Sequence, residues 1–414
     1  MLTYVKILIL LIAVFLVKPS ALGQSLTSIG IGLSVLSLSL HFMEFSKRKI
    51  RLTKKNFIVS LSVLSLWTYL LAHASILGSN HLDFVIKAYL AHVVLVICGA
   101  IVLSDRKSNF LFFRYFILSL VGSSLSYWIT YTLSLILGLD KLYLFTLPIE
   151  GYDGSGSIYL PFTILYGLFS VGDIQLPRLL GLFRESGILQ AFLVWAYFNL
   201  KNYNLEYKWI KMLIILGIIG TFSTSGIAVF LGTIVIYLIA NKKPLRGTLI
   251  SLAMLLALFF TPYIGLKNKA ETHGDSINDR MYATISGLEK LKEHPIGEGL
   301  YQLNYNDLPN SGINLLAISY KIGILGFILV LIMYFLPLYK YEYKKNYIVS
   351  IFPLFITMLT SQPLLDAPLV LMIFLAVYDS KNRVREKVKA KRKIKFRVPN
   401  DSKVAIPNQQ QYFN

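Results

Sequence analysis

Two polar stretches carry arginine in positions suited to gripping a phosphate. Arg178 and Arg184 lie in Pro177-Arg178-Leu179-Leu180-Gly181-Leu182-Phe183-Arg184-Glu185-Ser186-Gly187, directly before an apolar run, and Arg280 follows Asp279 in the second stretch. A guanidinium is planar and always protonated, offers a bidentate fork to phosphate oxygens, and can bury its stem at a membrane interface while its head meets a lipid phosphate. A helix starting at Ser186-Gly187 would add the partial positive charge of its free amides. The competing reading is that Arg184 pairs with Glu185 or another loop acid, or reaches for headgroups with no catalytic purpose.

Other side chains fit a reaction between an anionic donor and a hydroxyl acceptor. Glu185, Asp279, Glu298 and His294 are candidate general bases, and the sequence does not choose among them. Asn310 and Asn314 precede or begin a later apolar run; their amides can hold sugar hydroxyls or cap the helix. Lys321, about two turns beyond Asn314, is placed to line the same cavity. His273 is a weaker base candidate, without a triad or metal spacing. His41, His73 and His92 sit in apolar runs and read as hydrogen-bonded packing residues. Cys98 is the single cysteine and there are six histidines, so no disulfide framework or Cys/His metal cluster is expected. Thr221-Phe222-Ser223-Thr224-Ser225-Gly226 reads as a tight turn whose small residues permit close helix packing.

The elements that must position these residues are membrane helices. Of 414 residues, 55% are hydrophobic and 15% charged, with a mean hydropathy of +0.61, far from the roughly 25% charge of soluble domains. Twelve spans are expected, at about 4–17, 26–44, 57–77, 84–104, 110–136, 187–200, 209–222, 226–240, 248–264, 312–337, 347–360 and 366–378. The fold class is therefore all-α, a polytopic helical bundle over residues 1–378, with long loops at about 139–187 and 265–310 and a basic, solvated tail at 379–414. Ile158–Phe169 is apolar but too short to cross, contains Pro161 and Gly167, and reads as an interfacial or re-entrant piece. The Ala21-Leu22-Gly23 sequence after the first run is a weak signal-cleavage cue, outweighed by the spans that follow. Within the second loop, Ile285, Leu288 and Leu291 are expected to face inward and Glu289, Lys290, Lys292 and Glu293 outward, on a helix anchored to the membrane surface or to the first loop.

Charge sets the orientation. Lys47, Arg48, Lys49, Arg51, Lys54 and Lys55 have no acid among them, and the chain after Tyr378 holds eleven bases against three acids. Both segments belong in the cytoplasm, with the N and C termini. The two long loops hold 12 of the 21 acids and 8 of the 41 bases, as outside segments do. The formal charge of +20 is thus mostly a topology signal with some affinity for anionic lipid, and does not point to nucleic acid.

The order of motifs resembles the O-antigen polymerase and ligase superfamily of bacterial envelope glycan assembly. The resemblance covers about residues 155–380 and rests on YLPF at 159–162, RLLGLFRESG at 178–187, STSG at 223–226, the Arg280 segment leading to HPIGEG at 294–299, and PNSGINLLAISYKIGILG at 309–326. It implies a glycosyltransferase of the bacterial cytoplasmic membrane with about twelve spans. The substrates would be undecaprenyl-diphosphate-linked glycans, as donor and acceptor, with neither nucleotide sugar nor metal cofactor. Arg184 and Arg280 match the family's essential loop arginines, Glu185 stands beside the first, and Arg178 matches less clearly and is expected to tolerate change. This chain has Arg-Glu-Ser-Gly where many members have Arg-Glu-Pro-Gly, and Pro309 where ligases commonly carry His. The second departure favours a polymerase, working with a chain-length regulator and a flippase. The alternatives are a ligase that passes glycan to a lipid or protein acceptor, and a lipid-linked oligosaccharide flippase. A flippase would be expected to show short loops, an internal repeat and charges along its cavity.

Overall fold

The computed structural model describes residues 2–23, 25–45, 54–78, 82–147, 155–171, 174–260, 274–300, 314–339, 344–361, 364–366 and 368–373. Asn310, His273, the basic run from Lys47 to Arg51 and the tail fall outside these residues.

The described chain is mostly helical: α1 Leu2–Phe15, α2 Thr27–Phe45, α3 Lys54–Ile76, α4 Leu82–Val102, α5 Arg106–Leu137, α6 Ser186–Asn199, α7 Lys208–Gly220, α8 Thr224–Ala240, α9 Pro244–Phe260, α10 Gly274–Glu293, α11 Ser319–Tyr339 and α12 Lys344–Thr360. A further helical segment occupies 368–373. Described helix overlaps each expected span position, the last only over residues 368–373, and α10 occupies the second loop. Five are long and apolar enough to cross a membrane: Thr27–Glu44, Asn56–Ile76, Leu82–Val102, Arg106–Leu137 and Ser319–Leu336. Shorter apolar helices follow at Leu2–Phe15, Thr224–Ala240 and Ile348–Thr360. Many large apolar side chains, such as Leu8, Ile12, Leu61 and Met212, are exposed on helices whose opposite faces are buried, as lipid-facing helices require.

The all-α expectation fails in the first loop. Strands β1 Tyr143–Thr146, β2 Ser155–Tyr159, β3 Thr163–Val171 and β4 Ile174–Leu179 form an antiparallel meander in the order β1-β2-β3-β4. The apolar piece read as interfacial or re-entrant is the β2–β3 hairpin, with Pro161 in its turn. Its Tyr, Phe, Ile, Val and Thr content suits a pleated surface, and strand pairing satisfies backbone groups that a short apolar loop would leave bare. The sheet stands on α5, whose 32 residues extend about 48 Å at 1.5 Å per residue, against roughly 30 Å of hydrocarbon. Near its C-terminal end Tyr127 donates to the Pro177 carbonyl (2.8 Å), Thr130 to the Leu160 carbonyl (2.6 Å), and Ser126 and Thr130 both bond the Thr163 hydroxyl (2.8 and 2.7 Å). An over-long helix thus becomes the post that carries the sheet.

The second-loop helix turns out rotated from its expected pose. Ile285 and Leu288 are 49% and 38% exposed, while Ala283 is buried and so is Gly287. A side chain on Gly287 would come within 2.5 Å of the Ala317 carbonyl oxygen, so α10 docks backbone to backbone and keeps its large apolar residues on the outer face. The histidines behave as expected for packing residues. His92 stacks on Trp67 at 3.8 Å, His73 donates to the Ile296 carbonyl (2.8 Å), and His41 bonds the ammonium of Lys6 (2.9 Å).

Cysteines introduced at the exposed positions Thr146 and Glu289 should react in intact cells with a membrane-impermeant maleimide, since the only native thiol, Cys98, is buried. Labelling at either position only after the inner face is opened would reverse the expected topology.

Candidate active site

The first polar cluster forms where the sheet meets the helix ends. Arg178 sits near the end of β4, paired with Tyr166 of β3. Its Nη2 donates to the Ser186 hydroxyl at the start of α6 (2.8 Å) and its Nε to the Thr221 carbonyl in the α7–α8 turn (3.2 Å). One guanidinium therefore ties the start of α6 to the C-cap of α7, at the turn that leads into α8. The turn between α7 and α8 is tight: Phe222 adopts φ 45°, and Ser223 caps α8 by accepting from the Gly226 amide (3.4 Å). Against Gly226 lies Gln190 of α6, 1% exposed, whose amide oxygen would fall 1.4 Å from any Cβ at that glycine. Both polar atoms of Gln190 are buried with no hydrogen-bond partner. Two helix N-termini with their positive ends, a bridging arginine and an unsatisfied amide make a region poised for a polar, anionic ligand.

Arg184 is placed from the other side of the chain. Its N–H donates to the Pro19 carbonyl (3.0 Å), Ala21 N–H donates to the Leu182 carbonyl (3.0 Å), and Ser20 and Phe183 form an antiparallel bridge. Phe183 is buried, stacks on Phe192 (4.9 Å) and meets Phe15 edge-on (6.1 Å). The α1–α2 turn is therefore the rail that fixes Arg184 one residue before Glu185, the extended residue that opens α6. The Arg184 side chain is half-buried, and its Nε is buried with no hydrogen-bond partner. Glu185 makes no side-chain cap bond to α6.

The second cluster joins α10 to the start of α11. Arg280 is half-buried; its carbonyl accepts from the Thr284 hydroxyl (2.7 Å), which accepts from the Asn314 amide (3.0 Å). The Asn314 side-chain oxygen accepts from Ala317 N–H (2.8 Å), and Asn314 is 2% exposed. The Asn314 side chain closes the 314–318 turn ahead of α11 and ties it to Thr284 of α10. Leu315 N–H donates to the Met358 carbonyl of α12 (2.9 Å), and α12 packs on α6 and α8. The connection between the two clusters that the structure shows runs through these packed helices.

Lys321 is the third residue of α11, because the chain turns at 314–318 before the helix begins at Ser319. It is 8% exposed. Two residues on, Gly323 leaves helical geometry (φ 70°, ψ 172°), and the stretch 295–299 crosses the break. Glu298 N–H donates to the Tyr320 carbonyl (3.0 Å), Gly299 N–H to the Lys321 carbonyl (2.9 Å) and Ile324 N–H to the Pro295 carbonyl (2.9 Å). Tyr69 of α3 donates to the Ile322 carbonyl (3.0 Å). The crossing requires Gly297 (φ 98°) and Gly323, since a Cβ on Gly323 would lie 2.0 Å from the Ile296 oxygen. His294 and Glu298, both base candidates, approach to 3.8 Å.

Sequence reasoning passed over Gln190, Pro19 and the Gly297–Gly323 crossing. A lone glutamine early in an apolar helix was a readable signal for the first; the others depend on contacts between segments far apart in the chain.

Residues 209–331 match the family model Wzy_C, described as O-Antigen ligase. No curated protein and no solved structure matches the chain. The matched stretch runs from α7 into α11 and includes the α8 cap, Arg280, the 295–299 crossing and Lys321, and it supports the placement of this membrane protein in the O-antigen polymerase and ligase superfamily.

Proposed function

We propose that the chain joins undecaprenyl-diphosphate-linked oligosaccharide repeat units into a longer polysaccharide at the outer face of the bacterial cytoplasmic membrane. The observation that carries this reading is Arg184, a half-buried guanidinium with an unpartnered Nε, held two residues before the start of α6. In the reaction the bond from the anomeric carbon to the diphosphate oxygen breaks, the acceptor hydroxyl oxygen bonds that carbon, and its proton passes to a base. The leaving diphosphate gains negative charge as the bond breaks, so cations and amides already in place stabilise it without reorganising. Arg184 and Arg280 are assigned to that anion, with Gln190 at its edge. Glu185, Asp279, Glu298 and His294 are the candidates for the base. Arg178 and Asn314 position the site, and Lys321 belongs to its glycan-binding part.

A second reading is favoured by the description of the matched family: transfer of a finished glycan to a different acceptor. Deleting the protein separates the two. A polymerase deletion leaves single repeat units on the final acceptor and no long polymer. Polymer that still grows but stays on its lipid carrier would establish the ligase, and repeats stranded on the cytoplasmic face would point to a flippase.

Arg184→Ala and Arg280→Ala should each lower polymerisation by about a hundredfold or more, the usual effect of removing a donor to a developing anion, with unchanged protein in the membrane. Lys at either position should recover part of the activity, because it restores charge without the fork. Near-normal polymer in both Ala variants, at equal abundance, would remove the arginines from the mechanism.

The tolerance expected of Arg178 is revised by its contacts. Arg178→Ala deletes two charge-assisted bonds, worth about 1.5–3 kcal/mol each, and should reduce folded protein in the membrane together with activity. Quantitative blotting of both variants after membrane extraction checks the contrast, since Arg184→Ala is expected to keep its abundance and Arg178→Ala to lose it.

A further inference from the structure

We infer that Tyr143, Thr146, Ser157 and Tyr159, on the β1 edge of the sheet, form a subsite for an uncharged sugar of the glycan, away from the diphosphate. The identification of the ligand as a glycan rests on the function proposed above; the subsite itself rests on geometry.

Tyr143 of β1 lies opposite Tyr159 of β2, and Thr146 lies opposite Ser157. Directly opposed residues of an antiparallel pair point to the same face, and Ser157 and Tyr159, two apart on one strand, share theirs. The register shift in β1 between Tyr143 and Phe145 brings Tyr143 and Thr146, three apart, onto that face as well. The two tyrosine rings meet edge to face at 5.8 Å. The Tyr143 hydroxyl bonds the Thr146 hydroxyl (3.0 Å), which bonds the Ser157 hydroxyl (3.2 Å). Burial pushes the Tyr159 phenol above its usual value, and a bond with the Ser157 side chain opposes the shift. The phenol therefore stays protonated and completes a row of four hydroxyls. Tyr143 and Thr146 are exposed, while Ser157 and Tyr159 are half-buried.

A pyranose carries hydroxyls around its rim and C–H groups on its face. The cluster presents the counterpart of each: an exposed aromatic ring for the C–H groups, and hydroxyls that donate and accept together. Acyl chains fit the same place poorly, because they would strip water from the hydroxyl row and return no hydrogen bond. The tyrosines also stand apart from the aromatic residues that α5 places at the membrane interface. Those are Tyr127, Trp128 and Tyr131, which pack on one another. From Tyr131 the helix rises about 9 Å further to Leu137, and β1 begins beyond that end. Asp140 acts on the Tyr159 phenol from nearby, so the local charge disfavours a phosphate or an acidic sugar and suits a neutral one. The sheet sets the distance from the reaction. β1 and β4 are its opposite edges, three strand spacings or about 14 Å apart, and β4 leads into Arg184. A short oligosaccharide spans that gap.

The test uses the full-length protein in phosphatidylcholine nanodiscs, titrated calorimetrically with oligosaccharides released by partial acid hydrolysis from the surface polysaccharide of the same cells. Tyr143→Ala should weaken binding about tenfold, the worth of one well-placed aromatic contact. Tyr143→Phe keeps the ring and loses the hydroxyl, so it should cost only about threefold, as should Thr146→Val. Tyr143→Trp should bind at least as well as the wild type. Both positions are exposed, so membrane abundance should not change. Equal binding by the wild type and Tyr143→Ala overturns the inference. So does a Tyr143→Ala variant that changes oligomeric state at unchanged sugar binding, which would assign the cluster to a second copy of the chain. If deletion of the protein abolishes polymer but Tyr143→Ala binds oligosaccharide normally, the subsite is wrong and the polymerase stands. If Tyr143-dependent binding is found but deletion leaves all polymer intact, the subsite stands and the polymerase reading falls.

Discussion

Inside a bilayer, every backbone N–H and C=O must find its partner within the protein, and two irregular pairings among the described residues show how that demand is met. At the first, the turn after α1 runs antiparallel to residues 182–184, and the two irregular segments pair with each other. At the second, the 295–299 stretch lies across the break at Gly323 and exchanges three backbone bonds with it, while Tyr69 and His73 of α3 cover further carbonyls. Neither irregular segment can exist without its partner. Each pairing also fixes the backbone that carries a charged side chain, Arg184 at one and Lys321 at the other.

Small residues act where backbones must touch. Gly226 makes room for the Gln190 amide, Gly287 lets α10 lie on the Ala317 backbone, and the Gly297–Gly323 pair lets two chain segments cross. These contacts set the distance between the second loop and the start of α11. The cue at Ala21-Leu22-Gly23 acquires another meaning in the same way. Cleavage there would take away the Pro19 carbonyl that receives the Arg184 amide and the Ser20 backbone that pairs with Phe183. It would also remove Lys6, fully buried in an ion pair with Glu44 of α2 (2.6 Å).

Much of the helical framework was legible in the sequence because hydropathy over about twenty residues reports it directly. Helix ends were read to within a few residues at α3, α6 and α8, where Lys54, Ser186 and Ser223 mark them. What misled was any pattern with two physical meanings. The Ile158–Phe169 run is as apolar as a short helix, and pairing of its two halves with each other and with β4 makes it a hairpin. On α10, the sequence shows a stripe of large apolar residues without saying whether protein or lipid covers it; the docking through Gly287 gives the protein the small-residue face. Asn314 could bind a ligand or cap a helix, and its side-chain oxygen accepts from Ala317 N–H within the turn that precedes α11. The loop arginines were visible by type, but the difference between Arg178, bonded to Ser186 and Thr221, and Arg184, with its open Nε, belongs to the fold alone.

That difference has a physical rationale. A guanidinium whose hydrogen bonds are already made contributes to stability and offers little more to a transition state, whereas one held in place by its backbone, with a buried N–H left unpaired, carries a desolvation cost that ligand can relieve. Arg178 is of the first kind and Arg184 of the second, and they stand six residues apart on either side of the same turn. The strand and the helix ends hold the first so that the second need not hold anything. The same division recurs around α10, where Asn314 spends its amide on Thr284 and Ala317 and the Tyr320 phenol is left without a partner. In both places the polar groups that brace the fold lie next to buried polar atoms that the fold leaves without a partner.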